Sequence, residues 1–124
     1  MLPRTALCSL GVVLCLIGVS AAARAGDAER GQALYESRCF ACHSLDQNRV
    51  GPMHRGVFGR KAGSVADYEY SNALKSSGIV WSRTTLDAWL SGPSKFVPGS
   101  KMGFQVAKPE DRDDIISFLE QRAK

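Results

Sequence analysis

The residues Cys39-Phe40-Ala41-Cys42-His43 constrain this chain more than any other stretch of it. Cys-x-x-Cys followed directly by His is an attachment pattern for covalently bound haem. Each thiol can add to one vinyl group of a porphyrin, and two intervening residues let both sulfurs reach one edge of the ring. The next residue then lies under the macrocycle. There the imidazole of His43 can ligate iron, while its other ring nitrogen needs an acceptor to hold the tautomer. Three other readings compete. A structural zinc site needs four ligands, and no second Cys/His pair follows at finger spacing. A thioredoxin-like redox pair lacks the surrounding strand–turn–helix pattern, and a plain disulfide leaves His43 without a purpose.

The first 25 residues read as a leader removed from the mature protein. Arg4 supplies a short positive region, Ala6 to Val19 is apolar, and Ala23-Arg24-Ala25 offers a small-x-small cleavage pattern before Gly26. Cys8 and Cys15 leave with it. An uncleaved anchor is the alternative, at the lower limit of the ~20 residues that span a bilayer. Haem attachment in bacteria takes place outside the cytoplasmic membrane, so a leader of this kind predicts a periplasmic protein.

Residues 26–124 form one domain of ordinary size. Lysines and arginines there exceed acidic residues by about two, a balance that haem propionates would largely cancel. Nothing in it points to nucleic acid. Asp27 is placed to cap a helix over Ala28 to Ser37, on which Gly31, Leu34 and Tyr35 share a narrow face. A glycine in mid-helix costs ~1 kcal/mol relative to alanine, which is explained if another backbone crosses there. Gly51 to Ser64 is glycine-rich loop, and a loop of that length needs something to pack on. A short helix follows through Lys75, ended by Gly78. Ser82 caps the next helix, with Leu86, Trp89 and Leu90 on one face and Gly92-Pro93 closing it. Pro109 opens the last helix. Its acidic residues Asp111, Asp113 and Asp114 lie near the positive end of the dipole, and its buried stripe is Ile115, Ile116 and Leu119, with Phe118 beside them. The chain is therefore expected to be all-α, with no sheet signal and with a porphyrin as its natural core.

A second axial ligand decides what such an iron can do. Methionine opposite histidine is the arrangement of electron-carrying haems and raises the reduction potential. Of the two methionines in residues 26–124, Met102 lies in the turn-rich segment Pro98-Gly99-Ser100-Lys101-Met102-Gly103-Phe104. Met53 follows His43 by only ten residues, which makes reaching the opposite face of the ring harder. Met102 is the expected ligand, although a methionine is commonly core filler.

These stretches, with Gly26-Asp27-x-Glu29-Arg30-Gly31, Gly51-Pro52, Gly56-Val57-Phe58-Gly59-Arg60-Lys61 and Gly78-Ile79-Val80-Trp81, resemble a class I c-type cytochrome. The likeness is to the short bacterial type nearest to mitochondrial cytochrome c, and it covers essentially all of residues 26–124. It implies an all-α cytochrome c fold, with the N- and C-terminal helices crossing at Gly31 and one covalent haem held in a crevice. It implies that the Pro52 carbonyl accepts from the His43 ring, that Arg60, Tyr70 and Trp81 stand near the propionates, and that Ser100 and Lys101 sit by the exposed haem edge with Phe104 on the Met side.

Three positions depart from the family pattern. His54 stands where an apolar residue usually packs toward haem, and is expected to be a satisfied or exposed histidine rather than a ligand. Trp89 replaces a tyrosine, and Leu74 an asparagine, of the polar network around the Met sulfur.

The resemblance implies a soluble, monomeric, periplasmic one-electron carrier rather than an enzyme. Its partners would be redox proteins: a quinol–cytochrome c reductase, an oxidase, a reaction centre or a dehydrogenase. Arg38, Arg49, Lys61, Lys95 and Lys101 are candidates for a positive docking rim. An enzyme or gas sensor with an open iron site is the rival reading.

Overall fold

The structure, a computed structural model, describes residues 25–124. The leader expected over residues 1–25 lies outside the described residues except for Ala25. Among the described residues five helices follow one another: α1 (Ala28–Arg38), α2 (Asn72–Lys75), α3 (Arg83–Ser91), α4 (Pro93–Phe96) and α5 (Pro109–Arg122). Among the described residues there is no strand beyond one isolated antiparallel bridge, Lys61 to Val80, and no helix is long and apolar enough to cross a membrane.

α1 begins where Asp27 takes the backbone N–H groups of Glu29 and Arg30 on its carboxylate, satisfying donors the helix cannot. It packs chiefly on α5. The close approach falls at Gly31, where an added Cβ would overlap the backbone carbonyl of Asp114 and meet the Phe118 Cβ at 3.0 Å. Tyr35, one turn on, is buried against Phe118, with ring centroids 5.1 Å apart. Ile115, Ile116, Phe118 and Leu119 are all buried, as their spacing predicts.

The acidic residues of α5 do more than complement a dipole. Asp111 and Asp114 are buried, and both carboxylates are paired with the Arg30 guanidinium across the crossing. Arg38 adds a second pairing to Asp111 at 3.0 Å. Arg83 at the start of α3 reaches Asp113 at 2.6 Å and Glu120 at 2.5 Å, so α5 is clasped from two sides.

α3 has a full capping box, Ser82 and Thr85 each accepting from the other's backbone N–H, and it buries Leu86, Trp89 and Leu90. Gly92-Pro93 ends it, but the chain does not go irregular there. Pro93 opens the one-turn helix α4, since proline at a first helical position lacks only an N–H that would go unbonded anyway. The loops between α1 and α3 are ordered by backbone hydrogen bonds: Trp81 donates to the Arg60 carbonyl at 3.0 Å, Gly59 to that of Trp81 at 2.8 Å, and Ala62 to that of Ile79 at 2.8 Å. Gly56, with φ of +68°, lets the preceding turn double back, and its N–H donates to the Ala123 carbonyl.

Candidate functional site

Cys39 closes α1 and the chain continues through one more helical turn, with the N–H groups of Cys42 and His43 both donating to the Cys39 carbonyl at 3.1 and 2.9 Å. That turn places Cys39, Cys42 and His43 on the wall of one cavity of about 660 Å³. Pro52, Arg60, Tyr70, Trp81 and Met102 stand on the same wall, together with Lys101, Phe104, Leu74 and Trp89. Residues spread over most of the described chain thus converge on a single space. Met53 is not part of the wall; it packs against the core, and its carbonyl accepts from Arg60 at 2.9 Å.

The His43 ring is held from more than one direction. Its Nδ1 donates to the Pro52 carbonyl at 2.8 Å, which leaves the Nε2 lone pair free for a metal. Burial holds the His43 pKa below its usual value, partly countered by the bond to Pro52, so the ring is the neutral species a metal needs. Gly51 lies against the imidazole so closely that a Cβ there would overlap the ring. The glycine before Pro52 is therefore a packing requirement.

Cys39 and Cys42 are not joined to each other in a disulfide. Burial pushes the Cys39 thiol up to about 11, with the Arg38 charge opposing and Cys42 reinforcing the rise. Arg60 donates to the carbonyls of Arg55 and Met53 at 2.7 and 2.9 Å, and burial lowers its pKa. The Tyr70 hydroxyl accepts from the Val65 N–H at 3.3 Å. Trp81 meets Trp89 edge to face, with centroids 5.6 Å apart. A turn closed by the Ser100 N–H on the Val97 carbonyl carries Met102 to the wall, and Lys101 is tethered to the Glu69 carbonyl at 3.0 Å. Ser100 itself does not line the cavity, but its buried hydroxyl has no hydrogen-bond partner among the described residues.

These residues fit a porphyrin. The volume lies within the ~300–1,000 Å³ of small-molecule sites, and the wall is mainly apolar. Two thiols at attachment spacing, one imidazole with a free Nε2, one thioether and one half-buried guanidinium supply the polar chemistry a haem and its propionates require. Among the described residues no cluster of three or more His, Cys, Asp or Glu side chains could hold a metal ion by itself.

His54 is half-buried and hydrogen-bonded. Its Nδ1 lies 2.9 Å from the Tyr35 hydroxyl, and its ring stacks on that of His43 at 4.2 Å with planes 22° apart. Sequence reasoning singled out His54 but missed its partner. The available signal was a tyrosine on the narrow buried face of α1, where a hydroxyl needs an acceptor. All five members of the expected positive rim are exposed, and three of them have partners, Lys101 through its bond to the Glu69 carbonyl. Arg38 is paired with the buried Asp111, and Arg49 donates to the Phe40 carbonyl at 2.6 Å with its guanidinium over the Phe40 ring.

A helical chain that offers two thiols, an imidazole and a thioether to one haem-sized cavity belongs to the covalent haem proteins. Comparison with known proteins narrows the class. The family model "Cytochrome c" matches residues 28–123, and the chain belongs to the cytochrome c family. The cytochrome c of Cochliobolus lunatus is 48% identical over 103 residues, covering 80% of this chain and 95% of that protein. That of Arabidopsis thaliana is 48% identical over 103 residues, covering 80% and 92%. Among solved structures, cytochrome cH from Methylobacterium extorquens matches with a TM-score of 0.74 and 44% identity, over 78% of this chain and all of that one. The fold is the cytochrome c fold, and the family's cofactor is covalently attached haem c. The protein is a carrier of electrons between redox partners, not an enzyme.

Proposed function

We propose that Cys39 and Cys42 carry the haem, that His43 and Met102 are its axial ligands, and that the protein is a periplasmic one-electron carrier. Bound there, the haem iron supplies a reversible one-electron couple. The chain's own residues do the rest. Pro52 holds the His43 tautomer that leaves Nε2 unprotonated, and that nitrogen would take the metal. Met102 would supply a thioether as the second ligand and keep other ligands off the iron. Arg60, Tyr70 and Trp81 would offset the propionate charge where the apolar wall would penalise it.

The observation that carries this reading is the meeting of Cys39, Cys42, His43 and Met102 on one cavity while Met53 stays off it. Electrons would enter and leave by the edge near the two cysteines. Exposed Lys61, Lys95 and Lys101 would favour acidic docking faces on a quinol–cytochrome c reductase, an oxidase, a reaction centre or a dehydrogenase. The apolar run from Ala6 to Val19 and the small-x-small pattern before Gly26 support export and cleavage of residues 1–25, leaving 26–124 as the working domain.

The test is ligand access. Haem should stay with the polypeptide through acidified organic extraction, and the ferrous protein should keep its spectrum under carbon monoxide. An immediate spectral change in the unaltered protein marks an open iron site, as in a sensor or enzyme, and overturns the assignment of Met102. Met102→Ala should bind carbon monoxide at once.

A further inference from the structure

Tyr35 and His54 lie 19 residues apart in sequence, yet they meet beside His43. Tyr35 is 2% exposed, and His54 Nδ1 is the sole hydrogen-bond partner of its hydroxyl among the described residues. The two rings stand edge to face, with centroids 5.6 Å apart. His54 in turn stacks on His43, and both lie on the cavity wall. The hydrogen bond to Pro52 fixes one edge of the His43 ring but leaves it free to rock about that bond. Gly51 and the face of His54 remove that freedom.

We propose that Tyr35 and His54 form one positioning unit for the proximal histidine: the Tyr35 hydroxyl fixes the tautomer and tilt of His54, and the face of His54 sets the orientation of the His43 imidazole. Burial, and then the facing His43 and Arg60, hold His54 neutral, and burial keeps the Tyr35 phenol protonated. A phenol is the better donor of the two, so Nδ1 accepts and His54 carries its proton on Nε2. An aliphatic residue at position 54 could fill the space. It could not present an aromatic face, nor be locked in rotation by a hydrogen bond. Neither residue is among the proposed ligands, and both would act through His43, in the way partners of a metal ligand tune the metal.

The proposal rests on His43 being the proximal ligand, and the test separates the two. Tyr35→Phe, His54→Leu and the double variant are prepared as haem-loaded protein. Redox titration and NMR of the His43 ring protons are the readouts. Each single substitution should move the His43 resonances and change the ferrous-to-ferric ratio at a fixed potential about twofold or more. The effect of Tyr35→Phe should vanish in the His54→Leu background, because the hydroxyl no longer has Nδ1 to hold. A Tyr35→Phe protein with unmoved resonances and midpoint, or the same shift in both backgrounds, overturns the unit. His54→Gln guards against loss of folding: it keeps an acceptor for the hydroxyl but no aromatic face. It should fold and still move the His43 resonances; a folded protein with unmoved resonances overturns the stacking role. Failure of the ligand reading would instead appear in the unaltered protein, as lost haem or carbon monoxide binding.

Discussion

Replacing Gly31 with alanine sets two effects of opposite sign against each other. In an exposed helix the change would stabilise by ~1 kcal/mol, the difference in propensity between the two residues. At Gly31, however, the new methyl group overlaps the backbone carbonyl of Asp114 and stands 3.0 Å from the Phe118 Cβ. A main-chain carbonyl inside α5 cannot rotate aside as a side chain could, so the two helices must separate. Overpacking of this kind costs ~1–3 kcal/mol. Separation also loosens Tyr35, Ile115 and Phe118, which are buried in the same contact, and strains the pairing of Arg30 with Asp111 and Asp114. With backbone as the obstacle the cost belongs at the top of that range, ~3 kcal/mol, so the clash should win and leave the variant ~2 kcal/mol less stable net of propensity, equivalent to roughly 8–16 °C in Tm for a domain of this size. Urea unfolding of the haem-loaded protein, followed by far-ultraviolet circular dichroism, reads the change. Ala33→Gly, at an exposed position of the same helix, calibrates propensity alone and should cost ~1 kcal/mol. A Gly31→Ala protein as stable as its parent would refute the crossing, since only an open helix face could accept the methyl group.

Acid should weaken the same contact. Burial alone would raise the Asp111 pKa, but Arg30 and then Arg38 overcome it and hold the carboxyl below its ordinary value of 3.8. A depressed folded-state pKa means the stabilisation is present above the unfolded value and is lost as pH falls through the folded one. Asp111→Asn should therefore cost more at pH 6 than below pH ~3; an equal cost at both would show that the carboxylate's charge is not what holds α1 to α5. Lys101→Glu should slow electron exchange with an acidic partner at low ionic strength, and the difference should shrink as salt rises. Rates unchanged at every salt concentration would remove Lys101 from the docking surface.

The parts of this protein readable without coordinates are those whose causes are local. Asp27, Ser82 and Pro109 mark helix starts because a cap or an N-terminal proline acts within three residues of itself. The pair Cys39 and Cys42 with His43 is legible because attachment chemistry demands that spacing. Gly31 announced a crossing because a mid-helix glycine carries a cost that only a close neighbour explains. Gly92-Pro93 marks the end of α3 as expected, but the same proline also opens α4, because its ring suits a first helical position as well as a stop. The acidic residues of α5 were read as partners of their own helix dipole, a local effect. Their stronger partner, Arg30, is 81 to 84 residues away in sequence.

Sequence by itself settled the cofactor chemistry, the all-helical class and the candidate ligands, because each depends on residue type and short-range spacing. Tertiary structure decided which side chains share a wall. It turned Arg38 from a free surface charge into the partner of a buried carboxylate, kept Met53 off the cavity, and joined Tyr35 to His54 behind His43. Those outcomes follow from close packing. Two helices that approach within a methyl group of each other dictate what stands opposite what, and no periodicity along one chain segment carries that information.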